Sequence, residues 1–164
     1  MQPGFEEYFH HRYFDHEFVR LVAYLRRIGA TRETAEDSAQ QAFAEAYRQW
    51  AAINQPEAWL RRVAARIYFG RAPEPILTDM ADDMATSVDH DRIDNLEQSE
   101  LVMAALKALP MNQRVVMAWT IDGYTPAEIA NETGLKPEHV RKLLQRARES
   151  LRHTLSLRAQ GRRP

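Results

Sequence analysis

Residues 125–144, TPAEIANETGLKPEHVRKLL, restrict the fold of this chain more than any other stretch. Thr125 followed three residues later by Glu128 is the pattern of a capping box, and Pro126 falls at the first helical position, where its missing N–H costs nothing. Ala130 is small where two helices must approach closely. Gly134, four residues on, supplies the left-handed residue that ends the first helix. Pro137 opens a second helix, and Val140 returns an apolar contact to the first. This spacing predicts a helix-turn-helix, the bihelical unit whose second helix enters a DNA major groove; the alternative is an ordinary αα-hairpin.

A formal net charge of −1 is low for a nucleic-acid binder, but the average hides a segregation. Residues 74–100 hold nine acidic side chains against one basic (Arg92), and residues 136–164 hold nine basic against two acidic. A tail of net +7 that contains the second helix of the motif suits phosphate contact, whereas the acidic middle cannot face DNA. With no cysteine in 164 residues, disulfides and thiolate metal sites are excluded. No apolar run reaches the ~20 residues of a membrane span, and the N-terminus lacks the basic-then-apolar layout of a signal peptide. The expectation is a soluble, cytoplasmic chain without membrane insertion.

Helical periodicity dominates, and no alternating strand stands out. Phe14, Phe18, Leu21, Val22, Leu25 and Ile28 recur at threes and fours up to Gly29. Thr31 caps a second helix to about Trp50, with Ala35, Ala39, Ala42, Phe43, Ala46, Tyr47 and Trp50 as its apolar or small stripe. Pro56 opens a third, with Trp59, Leu60, Val63 and Ile67 on one face, and a short earlier helix covers residues 5–11. Residues 71–94 carry Pro73, Pro75 and many carboxylates with little periodicity, and read as a linker. If flexible, about 24 such residues have a root-mean-square span of roughly 27 Å. Helicity resumes near Ile93 and runs to Pro110; a further helix covers 112–120, and the recognition helix runs from Pro137 to about Leu155. The fold class is therefore all-α: helical domains at 1–71 and 95–164, joined by a flexible acidic linker at 72–94, with the helix-turn-helix in the second.

These residues suggest a family. TAEDSAQQAFAEAY (34–47), PEAWLRRVAAR (56–66), ALKALPMNQRVVMAW (105–119), the helix-turn-helix and QRARESLR (145–152) occur in an order that resembles an extracytoplasmic-function (ECF) sigma factor, a small two-domain bacterial RNA polymerase specificity subunit of the sigma-70 family. The resemblance implies partners and surfaces. Glu36, Asp37, Gln40 and Phe43 would dock on the clamp coiled coil of core RNA polymerase, unless Phe43 is simply core. Asn54, Gln55, Trp59, Arg61 and Arg62 would hold the melted minus-ten element of promoter DNA, since unstacked bases need aromatic or pocket surfaces and the backbone needs cations. Trp59 is either a stacking platform or a core anchor. Arg61 and Arg62 are adjacent and point apart, so at most one tracks the strand.

Lys136, Glu138, His139, Arg141, Lys142, Gln145 and Arg146 would read the minus-thirty-five element, arginine taking a guanine bidentately and glutamine an adenine. Arg148 and Arg152, further along, suit phosphates. The chain departs from the family pattern at Ser38, Ala39 and Gln41, at Ala65, Arg66 and Gly70, and at Leu143, where an arginine is frequent. The resemblance also implies an anti-sigma factor as a further partner.

Nothing in the sequence reads as an enzyme. Asp89, His90, Asp91 and Asp94 read as a solvated charge run, and His10, His11 and His16 lack a carboxylate at ligand spacing, so no metal or other cofactor is expected. Two other functions stay open: a stand-alone helix-turn-helix regulator whose N-terminal bundle only dimerises or binds another protein, and a non-initiating interaction protein of sigma-like shape.

Overall fold

The computed structural model describes residues 4–8, 13–70 and 98–161, all of whose regular elements are helices. The chain divides into two compact units, Met1–Ile76 and Leu77–Pro164. The expected linker at 72–94 lies outside the described residues.

In the N-terminal unit, α1 is a single turn, Phe5–Tyr8, followed by α2 (Tyr13–Arg27), α3 (Arg32–Arg48), a 3-10 turn at Trp50–Ala52 and α4 (Pro56–Phe69). The breaks fall where backbone chemistry requires them. Gly29 takes φ +120°, a conformation that costs a side-chain-bearing residue, and lets the chain leave α2. Thr31 then caps α3, its hydroxyl accepting from the Thr34 N–H at 3.2 Å. Helices α2, α3 and α4 pack against one another in pairs. Leu21, Tyr24 and Leu25 of α2 and Ile28 just beyond it are buried, as are Ala35, Ala39, Ala42 and Ala46 of α3 and Leu60 and Val63 of α4. The alanine stripe of α3 leaves room for long side chains from both neighbours.

In the C-terminal unit, α5 (Gln98–Ala108), α6 (Met111–Ile121), α7 (Pro126–Thr133) and α8 (Pro137–Gly161) follow. Helix α8 packs against each of the other three, and α6 also packs on α7. Pro110 separates α5 from α6, and Arg114 of α6 reaches back to the end of α5, donating to the Lys107 and Leu109 carbonyls at 2.5 and 2.9 Å. Those carbonyls have no partner within α5, so a buried guanidinium serves as its C-terminal cap. Helix α8 runs six residues past the expected end at Leu155, because 151–160 contains neither glycine nor proline to stop it.

Candidate nucleic-acid interface

The helix-turn-helix forms as its spacing requires. The Thr125 hydroxyl accepts from the Glu128 N–H at 3.3 Å, and the Glu128 carboxylate accepts from the Thr125 N–H at 2.8 Å and from its hydroxyl at 2.9 Å. These bonds hold the exposed Glu128 carboxyl below the usual carboxylate range, the Thr125 backbone N–H contributing most. Gly134 sits at φ +76° and donates its N–H to the Ala130 carbonyl at 2.9 Å. Ala130, Leu135 in the turn and Val140 are buried, so the two helices close on an apolar seam.

Helix α8 is thereby divided lengthwise. Val140, Leu143, Leu144 and Ala147 form its buried face, while Lys136, Glu138, Arg141, Lys142, Gln145 and Arg146 are exposed, with Arg148 and Arg152 exposed further along. His139 lies half-buried at the margin. The side-chain amide of Gln145 donates to the Glu149 carboxylate at 3.3 Å, one turn on. Every candidate of the minus-thirty-five set except His139 therefore reaches solvent. Leu143, where the family often has arginine, is 3% exposed and belongs to the core; its i, i+3, i+4, i+7 place among Val140, Leu144 and Ala147 signalled this.

The N-terminal candidates divide differently. Asp37 and Gln40 are exposed on α3, and Glu36 is half-buried, paired with Arg32 at 2.9 Å. Phe43 is not on their strip: it is 4% exposed and lies against Phe18, ring centroids 6.1 Å apart. Six residues of helix turn it about 120° away from Asp37, whereas Gln41 shares the Asp37 face and is exposed. Asn54 and Gln55, in the loop before α4, are exposed, as is Arg62, and Trp59 is half-buried.

Arg61 cannot track a DNA strand. It is 0% exposed, donating to Glu17 Oε1 and to the Glu57 carbonyl, both at 2.9 Å, with its guanidinium 6.0 Å from the Tyr24 ring centroid. Burial pushes the Glu17 carboxyl above the usual carboxylate range, outweighing the opposing pull of the Arg61 charge. Of the departures from the family pattern, Ser38 and Ala39 are buried in the α3 packing face, Ala65 is buried in α4, and Arg66 pairs with Glu45 at 3.2 Å.

A group absent from the candidate set stands at the end of α3: Phe5, Tyr8, Tyr47 and Trp50 meet ring to ring, and Tyr47, expected in the apolar stripe, is 61% exposed. Aromatics three apart ahead of an amide-bearing loop were the available signal. Of the histidines, His16 is exposed, whereas His10 and His11, like the 89–94 acidic run, lie outside the described residues. No cluster of metal-binding side chains occurs among the described residues. No described helix is long and apolar enough to cross a membrane.

Residues 99–151, covering most of α5 through the middle of α8, match the family model for sigma-70, region 4. The chain is also 29% identical over 144 residues to the probable RNA polymerase sigma factor RfaY of Xanthomonas campestris pv. campestris. That likeness takes in 78% of this chain and 36% of the relative, so the chain spans about a third of that protein's length. No solved structure matches. The helix-turn-helix thus lies within a segment that matches sigma-70 region 4, and the chain is similar to a sigma factor over most of its length.

Proposed function

We propose that the chain is a sigma factor of the ECF type, which binds core RNA polymerase and directs it to promoters in the cytoplasm. The observation that carries this reading is the exposed basic stripe of α8 within a domain that matches sigma-70 region 4. Arg141, Lys142, Gln145 and Arg146, with Lys136, Glu138 and His139 at the helix start, read the minus-thirty-five element from the major groove. Asp37 and Gln40, with Glu36 beside them, form the face of α3 that meets the polymerase clamp. Asn54, Gln55, Arg62 and the open edge of Trp59 hold the melted minus-ten strand. Domains 1–71 and 95–164 are two weak contacts, which the acidic linker at 72–94 couples through effective concentration. The chain contributes specificity and leaves the chemistry to the polymerase; an anti-sigma factor that covers these faces is a further proposed partner.

The test is reconstitution with core RNA polymerase and run-off transcription on genomic fragments. Promoter-specific initiation is expected. Asp37→Arg is expected to abolish the core complex while leaving duplex binding by the free chain unaltered. A chain that forms no stable core complex loses this reading. Twofold-symmetric binding to a palindrome without polymerase would instead identify a stand-alone regulator.

A further inference from the structure

The open face of α4 extends beyond Trp59 and Arg62. The helix is tied to its neighbours by buried side chains that include Leu60, Arg61, Val63, Ala64 and Ala65. At about 100° per residue, Trp59, Arg62, Arg66 and Phe69 fall in a sector of about 80° that contains none of these. Arg62 is exposed and the other three are half-buried. Along the helix this sector reads ring, cation, cation, ring. Trp59 and Phe69 are ten residues apart in sequence, so they are anchored about 15 Å apart along the axis. That is the length of about four nucleotides at roughly 3.4 Å each.

The far half of the sector is held in place. The Tyr68 ring lies against that of Phe69, centroids 4.8 Å apart and planes at 49°, and neither residue is buried in the core of the unit. The Gly70 N–H donates to the Arg66 and Ile67 carbonyls and closes the last turn, which carries both rings. Arg66 Nη2 donates to Glu45 Oε2 of α3 at 3.2 Å, the two side chains 34% and 29% exposed. So open an ion pair is weak, and a guanidinium with five donors can take a phosphate beside its carboxylate. Rings for unstacked bases and cations for the backbone between them are what a single strand uses.

We infer that Arg66 and Phe69 extend the single-strand contact along the whole of α4. Phe69, backed by Tyr68, stacks on a base about four nucleotides from the one at Trp59, and Arg62 and Arg66 hold phosphates between the two. This rests on the reading of Asn54, Gln55, Arg62 and Trp59 as the contact with melted DNA, and adds a second stacking platform at the other end of the helix.

The test uses the full chain and a labelled 20-nucleotide single strand of randomised sequence, followed by fluorescence anisotropy across a salt series, with the matching duplex as control. Phe69→Leu keeps an apolar side chain at the helix end and is expected to weaken single-strand binding roughly tenfold, with the salt slope and the duplex affinity unchanged. Phe69→Trp is expected to keep the affinity. Arg66→Gln is expected to lower the slope of log K against log salt by about 0.7, the share of one phosphate on a single strand. Single-strand binding that Phe69→Leu leaves unaltered, or that Phe69→Trp weakens as much, overturns the proposal, and so does a slope unmoved by Arg66→Gln. An equal loss on the duplex marks a folding defect and overturns it too. Trp59→Leu is read on the same strands. If it weakens binding and Phe69→Leu does not, this proposal falls and the reading of Trp59 and the loop stands; if neither does, both fall.

Discussion

Arg61 and Arg62 are chemically identical neighbours with opposite fates, and the difference lies in what faces each of them. Arg61 points into the α2–α4 contact, where Glu17 supplies a counter-charge; Arg62 points to solvent. Arg61→Met strands the Glu17 carboxylate in the core and is expected to destabilise the fold by about 3–5 kcal/mol at pH 7, measured by urea unfolding. The Glu17 carboxyl is raised, so its own contribution to stability is full below its ordinary value and is lost as pH rises through the raised one. The Arg61→Met penalty should therefore shrink in acid, where Glu17 simply takes a proton, and Glu17→Leu added to Arg61→Met should recover much of the loss. Leu143 makes the converse case. Leu143→Ala is expected to cost about 2–5 kcal/mol in the same assay, while leaving the DNA sequence selected by the protein unchanged, because the side chain lies in the core.

At the scale of elements, helix boundaries are set by local chemistry and were therefore readable. The Thr31 cap, the Thr125–Glu128 box, Pro56, Pro110, Pro137 and the left-handed Gly29 and Gly134 each act within four residues, and each marks a helix end where the structure has one. Gly134→Ala forces a Cβ onto a backbone at φ +76°, and Thr125→Ala removes the cap of α7. Each is expected to cost about 1 kcal/mol in thermal or urea unfolding. In acid, protonation of Glu128 removes its acceptor from the box. Since its folded value is depressed, that contribution is present above its ordinary value and fades as pH falls through the depressed one. The far end of α8 was not readable in the same way, since no breaker marks it before Gly161 and helix extension past the domain depends on continued packing and propensity.

For the whole molecule, a net charge of −1 is compatible with DNA binding because the positive charge is concentrated on the tail that holds α8. Duplex affinity is expected to fall steeply with salt, and Arg148→Ala and Arg152→Ala are each expected to lower the slope of log K against log salt by about 1, with little change in sequence preference. The same measurement on Gln145→Ala should leave the slope unaltered and relax specificity at one position of the site.

The sequence alone determined the number and order of the helices over the described residues, their caps and the helix-turn-helix, because these depend on interactions between residues three to six apart. Only tertiary packing decided which side chains reach solvent. Phe43 and Arg61 went to the core, Tyr47 to the surface, and α1 onto the rings at the end of α3. A helix repeats every 3.6 residues whatever lies beside it, so its period indicates which residues share a face but leaves open which of two adjacent faces a neighbouring helix will cover.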